Sequence, residues 1–207
     1  MKKNSGKISE KIVEKMIDNI KKIEKNLLLL HKRKDKVMEL SRDIVRLSGK
    51  AITLVHSNDM ISSKKLIHEL GKMNEALRSI ESGFEYNSQQ AHQEYVEAYS
   101  VYNMVLKESI PSLKELKTDE ISYLLGLLDA VGELKRQAFD ELRKGNTKKT
   151  ETYYRLMLEI YDSTVPLRFA NSIVPEFRKK QDVARMQIER TGTELLFFSD
   201  NRKGALK

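Results

Sequence analysis

Two pairs of carboxylates stand out by residue type and spacing. The segment AHQEYVEAYSVYNMVL places Glu94 and Glu97 three apart, and DEISYLLGLLDAVGELKRQAFDELRK places Asp129 and Glu133 four apart. On a helix such spacings make each pair surface neighbours. Glu94 borders the apolar stripe formed by Ala91, Tyr95, Ala98, Tyr102 and Val105, and Glu97 lies near Val101 and Met104. Paired acids in a partly apolar setting repel unless a proton or cation is shared, and oxygen-rich sets suit Mg2+ or Mn2+. A plainer account stands beside this one. Glu94 and Glu97 could face solvent or lysines, and Glu133 could be the surface partner of Arg136.

Other chemistries are missing. The chain has no cysteine, which excludes disulfides, thiolate metal sites and cysteine nucleophiles. No phosphate loop, dinucleotide fingerprint or H-E-x-x-H zinc motif occurs. A di-iron bundle needs Glu-x-x-His pairs. The positions three before His31, His56, His68 and His92 hold Leu28, Thr53, Lys65 and Gln89. Each histidine therefore reads as a surface or bundle residue. Net charge is +8 with a sequence pI near 9.4, which favours polyanionic partners. Lys32, Lys36, Arg46 and Lys50 share one face of the first segment, with Glu39 and Asp43 among them, and Arg178, Lys179, Lys180, Arg185 and Arg190 make the last segment basic.

The elements that must position these groups all read as helices. Ile8, Ile12, Met16, Ile20, Ile23, Leu27 and Leu30 recur at helical spacing, and the pattern resumes from Val37 to about His56. This predicts one very long helix, roughly 70 Å at 1.5 Å per residue, or two with a soft point near Gly49. So long a helix needs partners from this chain or another copy. Turn chemistry at Ser57-Asn58-Asp59 ends it. A second helix is expected over about 62–82, with Gly83 as its stop, and a third over 86–107. Thr118-Asp119-Glu120 opens a fourth, with the Thr118 hydroxyl as N-cap, ending at Gly145-Asn146. Thr147 caps a fifth, to about Asp162, and Pro175 sits early in a sixth that reaches about Leu196. The expectation is an all-α bundle of six to seven helices, one domain over 1–198, with a flexible tail over 199–207. The longest aliphatic run, Leu27 to Leu30, is too short for a bilayer, and the N-terminal residues lack a signal-peptide core, so the protein is expected in the cytoplasm.

Three segments together become specific. Residues 36–56 read KVMELSRDIVRLSGKAITLVH, residues 93–98 QEYVEA and residues 122–136 SYLLGLLDAVGELKR. The chain resembles the translin family, more closely translin-associated factor X, and residues 177–195, FRKKQDVARMQIERTGTEL, resemble that family's last helix. The resemblance covers most of the chain in order. It implies a long first helix and a barrel-like oligomer, commonly an octamer, that binds single-stranded RNA and single-stranded DNA. It also implies that factor-X-type subunits are metal-dependent endoribonucleases. By motif position the catalytic and metal-holding acids are Glu94, Glu97 and Asp129, with Glu133 a fourth metal ligand. Mg2+ or Mn2+ is the implied cofactor, and Lys36, Arg42 and Arg46 are assigned to the nucleic-acid backbone by position and charge. The polar insertion of animal factor-X proteins between the two motifs is missing, and the family's Arg-Gly near the C-terminus is not evident. Two other readings stay open: a non-catalytic single-strand-binding protein of the same fold, and a helical protein-interaction scaffold.

Overall fold

A computed structural model describes the backbone of residues 3–204 and the side chains of residues 13–198. The described residues form seven helices and no strand: α1 (Lys3–His56), α2 (Met60–Ile80), α3 (Glu85–Lys107), α4 (Leu113–Leu116), α5 (Glu120–Arg143), α6 (Thr147–Thr164) and α7 (Phe177–Gly204).

The first helix is continuous. Gly49 does not break it; the position is exposed, and a Cβ there would meet nothing within 4 Å. The 54 residues of α1 extend about 80 Å at 1.5 Å per residue. Asn58 then adopts a left-handed backbone (φ 62°), and Asp59 caps α2 by accepting from the Ser62 amide. Two caps differ from the sequence expectation by one residue. Asp59's counterpart on α5 is Asp119 rather than Thr118, and on α6 it is Asn146 rather than Thr147. In each case the carboxylate or amide oxygen accepts from the amide three residues on, which satisfies an orphan donor of the first turn. Pro175 lies outside α7, in a turn where Glu176 takes a positive φ (60°) and donates its amide to Asn171 Oδ1. The unexpected element is α4. Its Ser112-x-x-Glu115 capping box satisfies amides reciprocally and makes a helical turn of the stretch after Pro111. Helix α7 continues past Leu196 to Gly204, so the tail expected over 199–207 is helical as far as 204; side chains from 199 and backbone from 205 lie outside the described residues.

Helices α3 and α5 form the centre. Helix α1 packs on α2 and α3, α3 packs on α5, and α5 carries α6 and α7 on its other sides. This burial explains why α5 is apolar beyond one stripe: Leu125, Leu127, Leu128, Ala130, Val131 and Leu134 are all buried. Ile121, Leu124 and Phe139 are only partly buried. Glycine sets the closeness of the α3–α5 contact. A Cβ at Gly126 would sit 2.7 Å from the Gln93 carbonyl oxygen and from Val96 Cβ, so only glycine fits. Burial along α1 begins at Val37; residues 13–36 are exposed along its N-terminal part. No helix among the described residues is long and apolar enough to cross a membrane.

Candidate carboxylate site

The Gly126 crossing fixes where the acids stand. It presses α5 onto α3 at Gln93 and Val96, the residues next to Glu94 and Glu97. Asp129 follows one turn after Gly126, and Glu133 one turn later. All four acids are partly buried rather than solvated. They act on one another. Burial pushes the Glu97 carboxyl up to about 8, and the charges of Asp129, Glu94 and Glu133 add to that push. Burial also raises Glu94, with Asp129 contributing. Burial raises Asp129, against an opposing hydrogen bond from Lys180. Acids on opposite faces of the bundle would not feel one another in this way, so the two pairs belong to one site.

Two further helices complete it. Lys180 of α7 forms an ion pair with Asp129, and both side chains are largely shielded. His56, the last residue of α1, bonds through Nε2 to Glu133, while its Nδ1 accepts from Gln137 Nε2 at 3.0 Å. With Nδ1 accepting, Nε2 carries the proton and donates it. This bond holds the Glu133 carboxyl below its ordinary value despite burial. The Glu133–Arg136 pairing open in the sequence is thus replaced. His56 is the direct partner, and exposed Arg136 adds only a longer-range pull. Gln187 of α7 packs against Gly132, and its Oε1 is buried without a hydrogen-bond donor.

The donor set suits a hard divalent cation: four carboxylates, and beside them an amide oxygen lacking a donor. The charge repulsion that lifts Glu97 is the charge such an ion would neutralise. As the side chains stand, no three acids or histidines among the described residues are grouped closely enough to hold a metal, and Lys180 occupies the Asp129 carboxylate. The acids converge on one site without forming a ready-made ligand cage.

Lys36, Arg42 and Arg46 lie elsewhere. All three are exposed on α1, with Lys36 paired to Glu39 at 2.8 Å and Arg46 to Asp43 at 3.0 Å. They precede His56 by 10 to 20 residues, about 15–30 Å along the axis, so the structure does not gather them at the carboxylates. The residues that reach the acids, His56 and Lys180, and those beside them, Gln137 and Gln187, carry no ligand-like spacing. Lys180 meets Asp129 across 51 positions, and only packing of α7 on α5 reveals it.

Comparison with known proteins agrees with this architecture. A family model described as Translin family matches residues 32–194. An uncharacterised protein, MJ0175, of Methanocaldococcus jannaschii is 30% identical over 174 residues, covering 82% of this chain and 78% of that protein. Among solved structures, apo-NeC3PO superposes with a TM-score of 0.79 at 25% identity, covering 88% of this chain and 96% of that one. AfC3PO superposes at 0.78 with 28% identity, covering 89% and 98%. A structure of AfC3PO with duplex RNA matches at 0.78 and 27% identity over the same shares. With most of its length matched in sequence and in structure, the chain belongs to the Translin family.

Proposed function

We propose that this protein is a metal-dependent endoribonuclease of the factor-X type, acting on single-stranded RNA in the cytoplasm. The observation that carries the proposal is the meeting of Glu94, Glu97, Asp129 and Glu133 at the α3–α5 crossing, where each of the first three holds its proton more tightly than an ordinary carboxyl. The similarity to AfC3PO, whose solved complex contains duplex RNA, supports a nucleic-acid ligand. Glu94, Glu97 and Asp129 would hold Mg2+ or Mn2+, with Glu133 as a fourth ligand. The ion, when bound, supplies Lewis-acid charge to the phosphate in flight.

The chain's own residues do the remaining work. His56 donates to Glu133 and Gln137 fixes the ring, so the Glu133 carboxylate is held ionised and oriented. Lys180 balances Asp129 and is the nearest protein cation to the acids by its direct bond, placed to meet a phosphate oxygen as well. Lys36, Arg42 and Arg46 would contact a strand farther along α1, and single-stranded DNA would use the same electrostatic surface.

The reading includes assembly as a homo-oligomer, an octamer by family resemblance. Val13, Met16, Ile20, Ile23, Leu27 and Leu30 are 42–58% exposed and spaced 3, 4, 3, 4 and 3, the repeat of a coiled-coil seam. A second copy is the partner that repeat fits.

The alternative of a binding protein without turnover has two observations in its favour: among the described residues no three acids stand ready as ligands, and Lys180 sits on Asp129. The scaffold alternative calls for solvated, non-converging acids, unlike those seen. A labelled single-stranded RNA incubated with protein separates the readings. Cleavage with Mg2+ that stops with chelator is the expected result; salt-sensitive binding with no cleavage at any Mg2+ concentration supports the non-catalytic alternative instead.

A further inference from the structure

A second concave site lies on the other side of α3. At 100° per residue, Tyr95, Tyr99 and Tyr102 centre about 140° away from the midpoint of Glu94 and Glu97. These tyrosines face α2 and, with the segment around α4, enclose a cavity of about 540 Å³. That volume is within the range of small-ligand sites. Its floor is aromatic: Tyr95 and Tyr102 are buried, and Tyr95 meets Tyr99 edge to face with centroids 6.0 Å apart. Its rim is basic. Lys64, Lys72 and Lys107 line it, are exposed and form no ion pair among the described residues, whereas Lys117 is held by Glu75 at 2.6 Å. Asn103 also lines the cavity, and its Nδ2 donates to the Ser109 carbonyl at 2.9 Å, which leaves Oδ1 as the atom it can offer a ligand.

The partly exposed Tyr99 ring, beside the ammonium groups of Lys64 and Lys72 with Lys107 farther along the rim, is the complement of one chemical unit. A nucleobase stacks on tyrosine, and the attached phosphate meets lysine. An inorganic anion would use the lysines but not the tyrosines. An aliphatic chain would use the floor but not the rim. We propose that the cavity between α2 and α3 binds a nucleoside monophosphate unit, its base against Tyr99 and its phosphate on Lys64, Lys72 and Lys107. The unit is either a free nucleotide or one residue of an RNA strand that passes over this face. The site is separate from the carboxylates and does not depend on cleavage.

Calorimetric titration of the full-length protein tests it, using adenosine monophosphate, adenosine, inorganic phosphate and a ten-nucleotide oligoadenylate, with chelator present throughout. Binding of the mononucleotide, with adenosine and phosphate each roughly tenfold weaker or worse, assigns the site to free nucleotides. Binding of the oligomer alone assigns it to a strand. In either case Tyr99→Ala should weaken binding roughly tenfold while Tyr99→Phe, which keeps the ring, restores it. The exposed reversals Lys72→Glu and Lys107→Glu should weaken binding more than Lys148→Glu, a reversal on distant α6 that controls for overall charge. Glu97→Ala should bind like the unchanged protein, so a failed nuclease does not imitate a failed pocket. Inorganic phosphate matching the mononucleotide, or Lys72→Glu and Lys148→Glu being equivalent with every ligand, would overturn the proposal.

Discussion

Glu97 holds its proton up to about pH 8 because burial and three neighbouring carboxyls all oppose its ionisation. A carboxyl whose folded-state value lies above its ordinary 4.5 favours folding while protonated. That contribution is complete below about 4.5 and is lost as pH rises through about 8. Thermal unfolding in chelator should therefore show a midpoint that falls across this window, and Glu97→Gln, which cannot ionise, should flatten it. An unchanged slope in Glu97→Gln would assign the pH dependence elsewhere. Glu133 works in the opposite direction: its bond to His56 lowers it, so its contribution is present above the ordinary carboxylate value and fades as pH drops below it. The acids themselves were legible in the sequence, since three- and four-residue spacings announce helix neighbours. Their partners were not. His56 reaches Glu133 across 77 positions and Lys180 reaches Asp129 across 51, and no periodicity relates residues on different helices.

At the level of elements, the α3–α5 crossing decides whether the acids meet. Gly126→Ala puts a methyl 2.7 Å from both a backbone oxygen and a branched Cβ, neither of which can swing aside. It should destabilise the fold by about 1–3 kcal/mol, outweighing the helix propensity gained, and separate the acid pairs. Gly132→Ala meets only the end of the Gln187 side chain, at 3.2 Å, which can move. Chemical denaturation should place it between neutral and about 1 kcal/mol more stable. Equal losses in the two variants would mean that the crossing is not the tight point. A glycine inside a helix costs about 1 kcal/mol relative to alanine, and of these two only Gly126 has the close backbone contact that requires it. The helices are readable from their spacing to within a few residues, except at the end of α7, which runs eight residues past the expected Leu196. The short α4 has no periodic signature, because one helical turn carries too few apolar positions to show a period, although its Ser112/Glu115 capping box is present in the sequence.

For the whole molecule, the exposed seam of α1 and the basic surface set the expectations. Its repeat of 3 and 4 over residues 13–30 finds no cover within the described chain. Ile23→Lys with Leu27→Lys should shift the protein to a smaller species in size-exclusion chromatography with light scattering, while circular dichroism stays helical. A species of unchanged mass would place the subunit contacts elsewhere. The length of α1 and its need for company could be read from the sequence, but which stretch the chain itself covers could not, because apolar spacing is the same whether the partner is internal or a second copy. Under the proposed function, acids from two helices, brought together by one crossing, would form a single hydrolytic site. Glu97→Gln on α3 and Asp129→Asn on α5 test it most directly, in cleavage of labelled single-stranded RNA with Mg2+ alongside an RNA-binding assay. Each substitution alone should lower the cleavage rate by about a hundredfold or more while RNA binding is kept. Full cleavage in either variant would contradict it.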